Sequence, residues 1–249
     1  MDNKKRFKTA FILSAGLGTR LRPLTERCPK PLLDIGGRPV ITYIMDHLLG
    51  VGVERFIVNT HHCPDVYLQK FPDRRWRGVP IIFRHEPVLL DTAGGLKNIE
   101  DLLYEDQTIL CYNGDIITNL PLQQLLQFHE QKQPEATLAL RSSGYLLNVS
   151  LNEKSEICDI RHILNNPGIK NYLFASIYAF ETSILKHIEP GKIESIVSTF
   201  IQRMVQKPGS VMGVVVDEGD WQGIDSIETY EHLKTKAESR ESQWNLRMK

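Results

Sequence analysis

Short apolar runs alternate with amphipathic stretches through the first two-thirds of this 249-residue chain. That rhythm predicts βαβ units and a mostly parallel sheet. Thr9 to Ser14 reads as the first strand. Val40 to Leu49 (VITYIMDHLL) has helical apolar spacing and stops at Gly50, a suitable C-cap. Arg55 to Thr60 follows as a strand, Asp65 to Phe71 as a short helix, Pro80 to Arg84 as a strand and Leu96 to Leu103 as a helix. Thr108 to Tyr112 (TILCY) is apolar on both faces, as a central strand requires. Leu122 to Gln131 is the next helix.

From Ala136 the texture changes. Ala136 to Arg141 and Asn148 to Leu151 alternate, Ile157 to Ile160 and Tyr172 to Phe180 are strand-like, and turn residues such as Asn165-Asn166-Pro167-Gly168 separate them. Antiparallel hairpins are expected there. Helices at Ser183 to His187 and Ile193 to Gln206, a strand at Val211 to Val216 and a helix at Ile227 to Ala237 complete the pattern. The expected class is α/β: a Rossmann-like three-layer sandwich with a mostly parallel mixed central sheet and an antiparallel subdomain. One domain is expected over 1–237, dividing near residue 135, with a polar tail over 238–249.

Thirty basic and thirty acidic residues cancel, so no global field recruits nucleic acid or an anionic membrane, and any phosphate binding must be local. Asp2 to Lys8 is polar and basic with no apolar signal-peptide core behind it, and no apolar run approaches membrane-spanning length. Cys28, Cys63, Cys111 and Cys158 are scattered, which reads as reduced thiols of a cytoplasmic protein.

The local site is written just behind the first strand. Phe11 to Leu33 reads FILSAGLGTRLRPLTERCPKPLL. Gly16 and Gly18 have no Cβ, so backbone N–H groups can approach an anion closely. Arg20 supplies a fork of donors that matches a phosphate, and Lys30 a compact charge on a flexible stem. Pro23, Pro29 and Pro31 stiffen the loop. The run is neither a Walker A loop, lacking Gly-Lys-Ser/Thr, nor a Rossmann fingerprint, because Leu21 stands where the third glycine belongs. It closely resembles the signature of the sugar-nucleotidyltransferases, or nucleotide-sugar pyrophosphorylases: Gly-x-Gly-Thr-Arg-Leu-x-Pro-Leu-Thr followed by Pro-Lys-Pro. The length is similar to that of short family members, so a left-handed repeat domain is not expected.

Ligands of open α/β sheets sit beyond the carboxyl ends of strands. There the chain places Asn113-Gly114-Asp115, directly after TILCY. A carboxylate delivered by a rigid strand suits Mg²⁺, which binds through one or two carboxylates plus phosphates. An Asn-Gly turn is the plainer explanation, but a parallel strand needs no hairpin turn. Glu86 to Leu96 (EPVLLDTAGGL) resembles the family's Gly-Thr-Ala-Gly segment, with Asp91 in place of its first glycine; without the family it is a helix start capped by Asp91 or Thr92.

The resemblance implies a GT-A-like fold with a nucleotide-binding part over about 1–135 and a sugar-side part over 136–237. It implies Leu13, Ala15, Gly16, Gly18, Thr19, Glu86, Thr92, Ala93 and Gly94 at the nucleotide, and Asn113, Ser176 and Tyr178 at the sugar. Arg20, Lys30 and Asp115 would be catalytic, with NTP and a sugar 1-phosphate as substrates and NDP-sugar and pyrophosphate as products. Arg20 would hold the β/γ-phosphates, Lys30 would sit between the α-phosphate and the sugar phosphate, and Asp115 would anchor Mg²⁺.

Two places depart from the family. Its Trp-x-Asp-Ile-Gly-Thr, whose Asp completes the metal site, becomes Trp221-Gln222-Gly223-Ile224-Asp225-Ser226. In an extended segment residues two apart share a side, so Asp225 is expected to serve as the second metal ligand, with Gly223 leaving it room. Asp115 acting alone, or an impaired site, are the next readings. Its Gly-Ile-Tyr becomes Ser176-Ile177-Tyr178, where Ser176 narrows or adds a hydrogen bond to the sugar pocket. A silent nucleotide-sugar-binding regulatory homologue, or transfer to a non-sugar phosphate, stays open. His61-His62 reads as a loop at the site mouth and Trp76 as part of a solvated basic turn. Ile193, Ile196, Val197, Phe200, Ile201 and Met204 face the core first and a homo-oligomer surface second.

Overall fold

The structure is a computed structural model that describes residues 7–103 and 107–238; the expectation of a polar tail beyond Glu238 lies outside them, as does most of Asp2 to Lys8. Along the chain come β1 (Thr9–Leu13), β2 (Asp34–Ile35), β3 (Arg38–Pro39), α1 (Val40–Leu49), β4 (Arg55–Thr60), α2 (Pro64–Lys70), β5 (Arg75–Trp76), β6 (Val79–His85) and α3 (Asp91–Lys97). Then follow β7 (Thr108–Asn113), β8 (Ile116–Thr118), α4 (Leu122–Lys132), β9 (Ala136–Arg141), β10 (Val149–Leu151), β11 (Ile157–Ile160) and β12 (Lys170–Glu181). Last are α5 (Ile196–Gln206), β13 (Val211–Val215), β14 (Trp221–Gly223) and α6 (Ile227–Glu238). The class is α/β, with parallel and antiparallel strands and helices between them.

The chain divides into two compact units, each discontinuous in sequence. The glycine-loop unit takes Ala10–Leu89, Tyr112–Asn119 and the chain from Asp220. In it β4 and β6 pair in parallel from Phe56↔Ile81 to Thr60↔His85. α1 buries Val40, Ile41, Ile44, Met45 and Leu48, an apolar stripe of helical spacing. Leu21 and Leu33 of the signature loop form one cluster with Ile35, Val40, Ile117, Ile224 and, from α6, Tyr230 and Leu233. α6 starts where Ser226 Oγ accepts the Thr229 N–H, a Ser N-cap immediately after Asp225.

Trp76 is not in a solvated turn. Its Nε1 donates to Asp46 Oδ1 at 2.8 Å, and Arg38 and Arg77 reach the same carboxylate at 2.7 and 2.8 Å. Asp46 is 2% exposed. Burying it requires such partners, and they pin β5 to α1.

The other unit, here the α5 unit, takes Leu90–Cys111, Leu120–Gly219 and the chain up to Thr9. The expected antiparallel pairs are present: β9 with β12, β12 with β10, and β10 with β11. β13, however, lies parallel to β9. Arg203 of α5 grips Glu135 with two bonds of 2.7 and 3.0 Å, joined by Lys207 at 3.2 Å.

Three expected boundaries shift. The helix placed at Leu96 to Leu103 begins at Asp91 and ends at Lys97, with a separate 3₁₀ turn at Glu100–Leu102. Ser183 to His187 belongs to a 3₁₀ segment, Thr182–His187. α5 starts at Ile196, where Ser195 Oγ accepts the Val197 N–H, so Ile193 stands outside it and is exposed. Of the rest of the expected stripe, Ile196, Val197, Phe200 and Met204 are buried and Ile201 is half-buried.

Candidate active site

β1 ends at Leu13, and the glycine loop begins with Ser14 clamped from both sides. Its N–H donates to Asn59 Oδ1 at 2.6 Å, its carbonyl accepts from Tyr67 Oη at 3.0 Å, and Asn59 Nδ2 passes on to Glu86 Oε1 at 2.7 Å. Glu86, expected at the nucleotide, is fully buried and serves this scaffold. Sequence reasoning missed Asn59; a buried amide inside the apolar run of β4 was the one signal.

Beyond the clamp, Gly18 adopts φ +62°, a left-handed conformation that favours glycine. Thr25 Oγ1 closes the loop onto the Gly18 carbonyl at 2.8 Å. Gly16 differs: its φ is not positive, and among the described residues nothing lies within 4 Å of where a side chain would stand. The fold itself makes no demand for glycine there. Leu13 is half-buried, Ala15 buried and Thr19 exposed. Cys28 sits inside the loop, and burial pushes its thiol up against the pull of Lys70, so it keeps its proton.

β7 delivers the acid. Asn113 is half-buried at its end, and the Gly114 N–H donates to the Leu13 carbonyl at 2.8 Å. A Cβ on Gly114 would stand 2.7 Å from that carbonyl oxygen and 2.8 Å from Ser14 Oγ. Glycine is therefore needed for β7 and β1 to end side by side, which presents Asp115 to the loop. Lys30 Nζ lies 2.6 Å from Asp115 Oδ2. Among the described residues, buried Asp115 Oδ1 accepts no hydrogen bond, and Ser14 Oγ is likewise buried without a partner.

The two-stranded ribbon of β14 and β8 was not expected. Gly223 faces Ile116, and the ladder continues with the Ile224 N–H donating to the Asp115 carbonyl at 2.9 Å. The ribbon carries Asp225 to the same point, where its Oδ1 is 3.1 Å from Arg20 and 4.0 Å from Lys30. A Cβ on Gly223 would lie 3.0 Å from Asp225 Oδ2. A side chain there would press on the Asp225 carboxylate, which would have to give by a few tenths of an ångström. Arg20, Lys30, Asp115 and Asp225 thus converge within one unit.

The donor set fits a hard divalent cation. Two carboxylates meet, and one buried oxygen, Asp115 Oδ1, still has a lone pair to give. Among the described residues no group of three or more His, Cys, Asp and Glu could hold a metal, whereas Mg²⁺ characteristically takes one or two carboxylates together with substrate phosphates. His61 and His62 instead bond main-chain carbonyls, of Glu86 and Thr25, both at 2.7 Å.

The remaining expected residues lie in the α5 unit. The Ala93 N–H donates to the Glu194 carbonyl at 2.8 Å, and Thr92 Oγ1 accepts the Ile196 N–H at 2.8 Å. A Cβ on Gly94 would collide with the Lys192 carbonyl oxygen at 2.3 Å. The small residues of this segment are thus used by the protein's own packing. Tyr178, expected at the sugar, is an interior residue 1% exposed, with its ring against Phe174, Phe180 and Phe200. Burial pushes its phenol up, so it is neutral. Ser176 is half-buried in an irregularity of the β9–β12 ladder at φ +60°, and Asp91 holds φ +59°. Both residues that replace a family glycine therefore keep a glycine-like backbone.

A family model described as Nucleotidyl transferase matches residues 9–240. Mannose-1-phosphate guanylyltransferase of Mycobacterium tuberculosis (strain ATCC 25618 / H37Rv) is 29% identical over 227 residues, which cover 89% of this chain and 62% of that protein. Mannose-1-phosphate guanyltransferase of Emericella nidulans is 34% identical over 203 residues, covering 74% and 53%. The chain spans roughly half to three-fifths of the length of these relatives. A putative glucose-1-phosphate thymidylyltransferase from Bacillus anthracis superposes with a TM-score of 0.78 at 18% identity, over 93% of this chain and 96% of that one. HddC from Yersinia pseudotuberculosis superposes at 0.76 with 20% identity, over 92% and 99%. At these identities the structural likeness speaks to fold.

Proposed function

We infer that this chain, which belongs to the nucleotidyl transferase family, joins an NTP to a sugar 1-phosphate and releases pyrophosphate. The observation that carries this reading is the meeting of Arg20, Lys30, Asp115 and Asp225 beside the glycine loop. Gly16 supports it, because its bare backbone answers to no packing need of the fold.

The reaction is attack of a sugar-phosphate oxygen on the α-phosphorus of the NTP. The nucleophile is anionic at neutral pH, so no general base is required. Catalysis needs two anions held together in line and charge drawn off the leaving pyrophosphate. Lys30 would lie between the two phosphates, on a stem that is largely buried. Arg20, with a side chain 71% exposed, can swing to the outer phosphates. Asp115 and Asp225 would hold Mg²⁺, which when bound would supply positive charge to offset that of the phosphates. The relatives named for mannose 1-phosphate and guanylyl transfer make GTP with mannose 1-phosphate the first pair to test. No described helix is long and apolar enough to cross a membrane.

Pyrophosphate release across four NTPs and several sugar 1-phosphates tests the reading. The substitution at Gly223 favours a second one, a silent sugar-nucleotide sensor; tight nucleotide binding without pyrophosphate release from any pair would establish it. Comparing Mg²⁺-dependent turnover of Asp225→Asn and Asp115→Asn assigns the second ligand. Loss in both is expected, and full activity in Asp225→Asn removes that residue from the metal site.

A further inference from the structure

The four charged groups of the site already neutralise one another. Lys30 is the tightest member: its side chain is 11% exposed, and its ammonium touches Asp115 Oδ2 at 2.6 Å while lying 4.0 Å from Asp225 Oδ1. Arg20 caps the far side of Asp225, but being largely exposed it is held weakly. Asp115 Oδ1 is buried with no partner among the described residues, so the carboxylate has one oxygen committed to a cation and one ready for another.

A divalent ion taking that carboxylate would stand within a few ångströms of a largely buried ammonium, where screening by water is poor. Cation and ammonium therefore compete for the same negative charge. Phosphate changes the balance, because it offers Lys30 a second anionic partner at the end of the same flexible stem.

We propose that Lys30 is an internal counter-ion that keeps a divalent cation off Asp115 until a phosphate draws the ammonium away, so that metal and polyphosphate enter together. The idea deepens the nucleotidyltransferase reading and rests on it for the identity of the phosphate. Its physical core, competition between Lys30 and a metal, belongs to the unaided protein. It gives Lys30 a role before any chemistry: a metal without its nucleotide would not occupy the site and hold it in an unproductive charge state.

The test is the binding of Mn²⁺ alone to the full chain, read from the loss of the free-ion paramagnetic resonance signal with no nucleotide present. Lys30→Met is expected to bind Mn²⁺ about tenfold or more tightly than the unsubstituted protein, a coupling of ordinary size. Lys30→Arg, which keeps the charge, should bind as weakly as the unsubstituted protein. Adding Asp115→Asn to Lys30→Met should abolish the gain, which places the ion. Should Lys30→Met fail to fold by circular dichroism, Lys30→Gln takes its place. Unchanged affinity in the folded neutral variant, or equal tightening in Lys30→Arg, overturns the proposal. Pyrophosphate release by the unsubstituted protein is scored separately. Release without Mn²⁺ tightening sinks the counter-ion role and spares the enzyme; tightening without release does the reverse.

Discussion

Two ion clusters with nearly the same ingredients sit one in each unit, and they are built differently. In the α5 unit, Glu135 takes both arms of Arg203 and the ammonium of Lys207, so both of its oxygens have partners. Arg203, first among several causes, holds the Glu135 carboxyl below its ordinary value. In the glycine-loop unit, Asp115 takes one bond from Lys30 and keeps a buried oxygen unbonded. A saturated cluster has nothing further to gain and ties a helix end to a strand start. An unsaturated one retains unmet bonding capacity, which is available to a ligand. On the proposed reading, stability and binding draw on the same residue types, and the count of filled lone pairs separates them.

The contrast breaks most visibly at Lys30. Lys30→Ala is expected to lower kcat about 10³-fold, the scale of one lost charge-stabilising donor, while its thermal midpoint stays within about 4 °C. Steady-state pyrophosphate release and a melting curve measure both; near-normal turnover in a folded variant would remove Lys30 from the chemistry. Arg203→Ala should behave oppositely. It leaves Glu135 partly buried with Lys207 alone, costing about 2 kcal/mol by urea titration, between the values for exposed and buried pairs.

The sign of the pH effect sharpens the second half. The lowered Glu135 value means its contribution is present above the ordinary 4.5 and is lost as pH falls through the folded value. The stability gap between the unsubstituted protein and Glu135→Gln should be full at pH 7 and shrink toward pH 3. A constant gap would show that the carboxylate charge contributes nothing. The smallest effect expected is a gain: Ser176→Gly should stabilise the α5 unit by about 0.5 kcal/mol, relieving a left-handed serine against the added entropy of an unfolded glycine. A loss would mean that the Ser176 side chain makes up for its strained backbone.

The elements legible in the sequence were those long enough to repeat their pattern. Val40 to Leu49 and Arg55 to Thr60 stand where their periodicity put them. The helix over Leu96 to Leu103 was misplaced because α3 carries Gly94 and Gly95 near its middle, where propensity argues against a helix; packing against the Lys192 carbonyl explains Gly94. The β8–β14 ribbon has three residues a side, too few for a period. The signature loop was readable because steric and charge demands are written in consecutive residues. The Ser14–Asn59–Glu86 clamp was not, since its members are scattered along the chain and nothing in the sequence pairs a buried amide with a buried acid.

The cluster that locks Leu21 and Leu33 to Tyr230 and Leu233 has a bearing on biosynthesis. Arg20 emerges from the ribosome well before the carboxylate it meets, which lies 205 positions later, just before the Ser-capped helix that anchors the loop. Translation must therefore run almost to α6 before the charge constellation can form. A nascent chain halted before Trp221 carries the glycine loop without Asp225, so on the proposed reading turnover should begin only once α6 has cleared the exit tunnel.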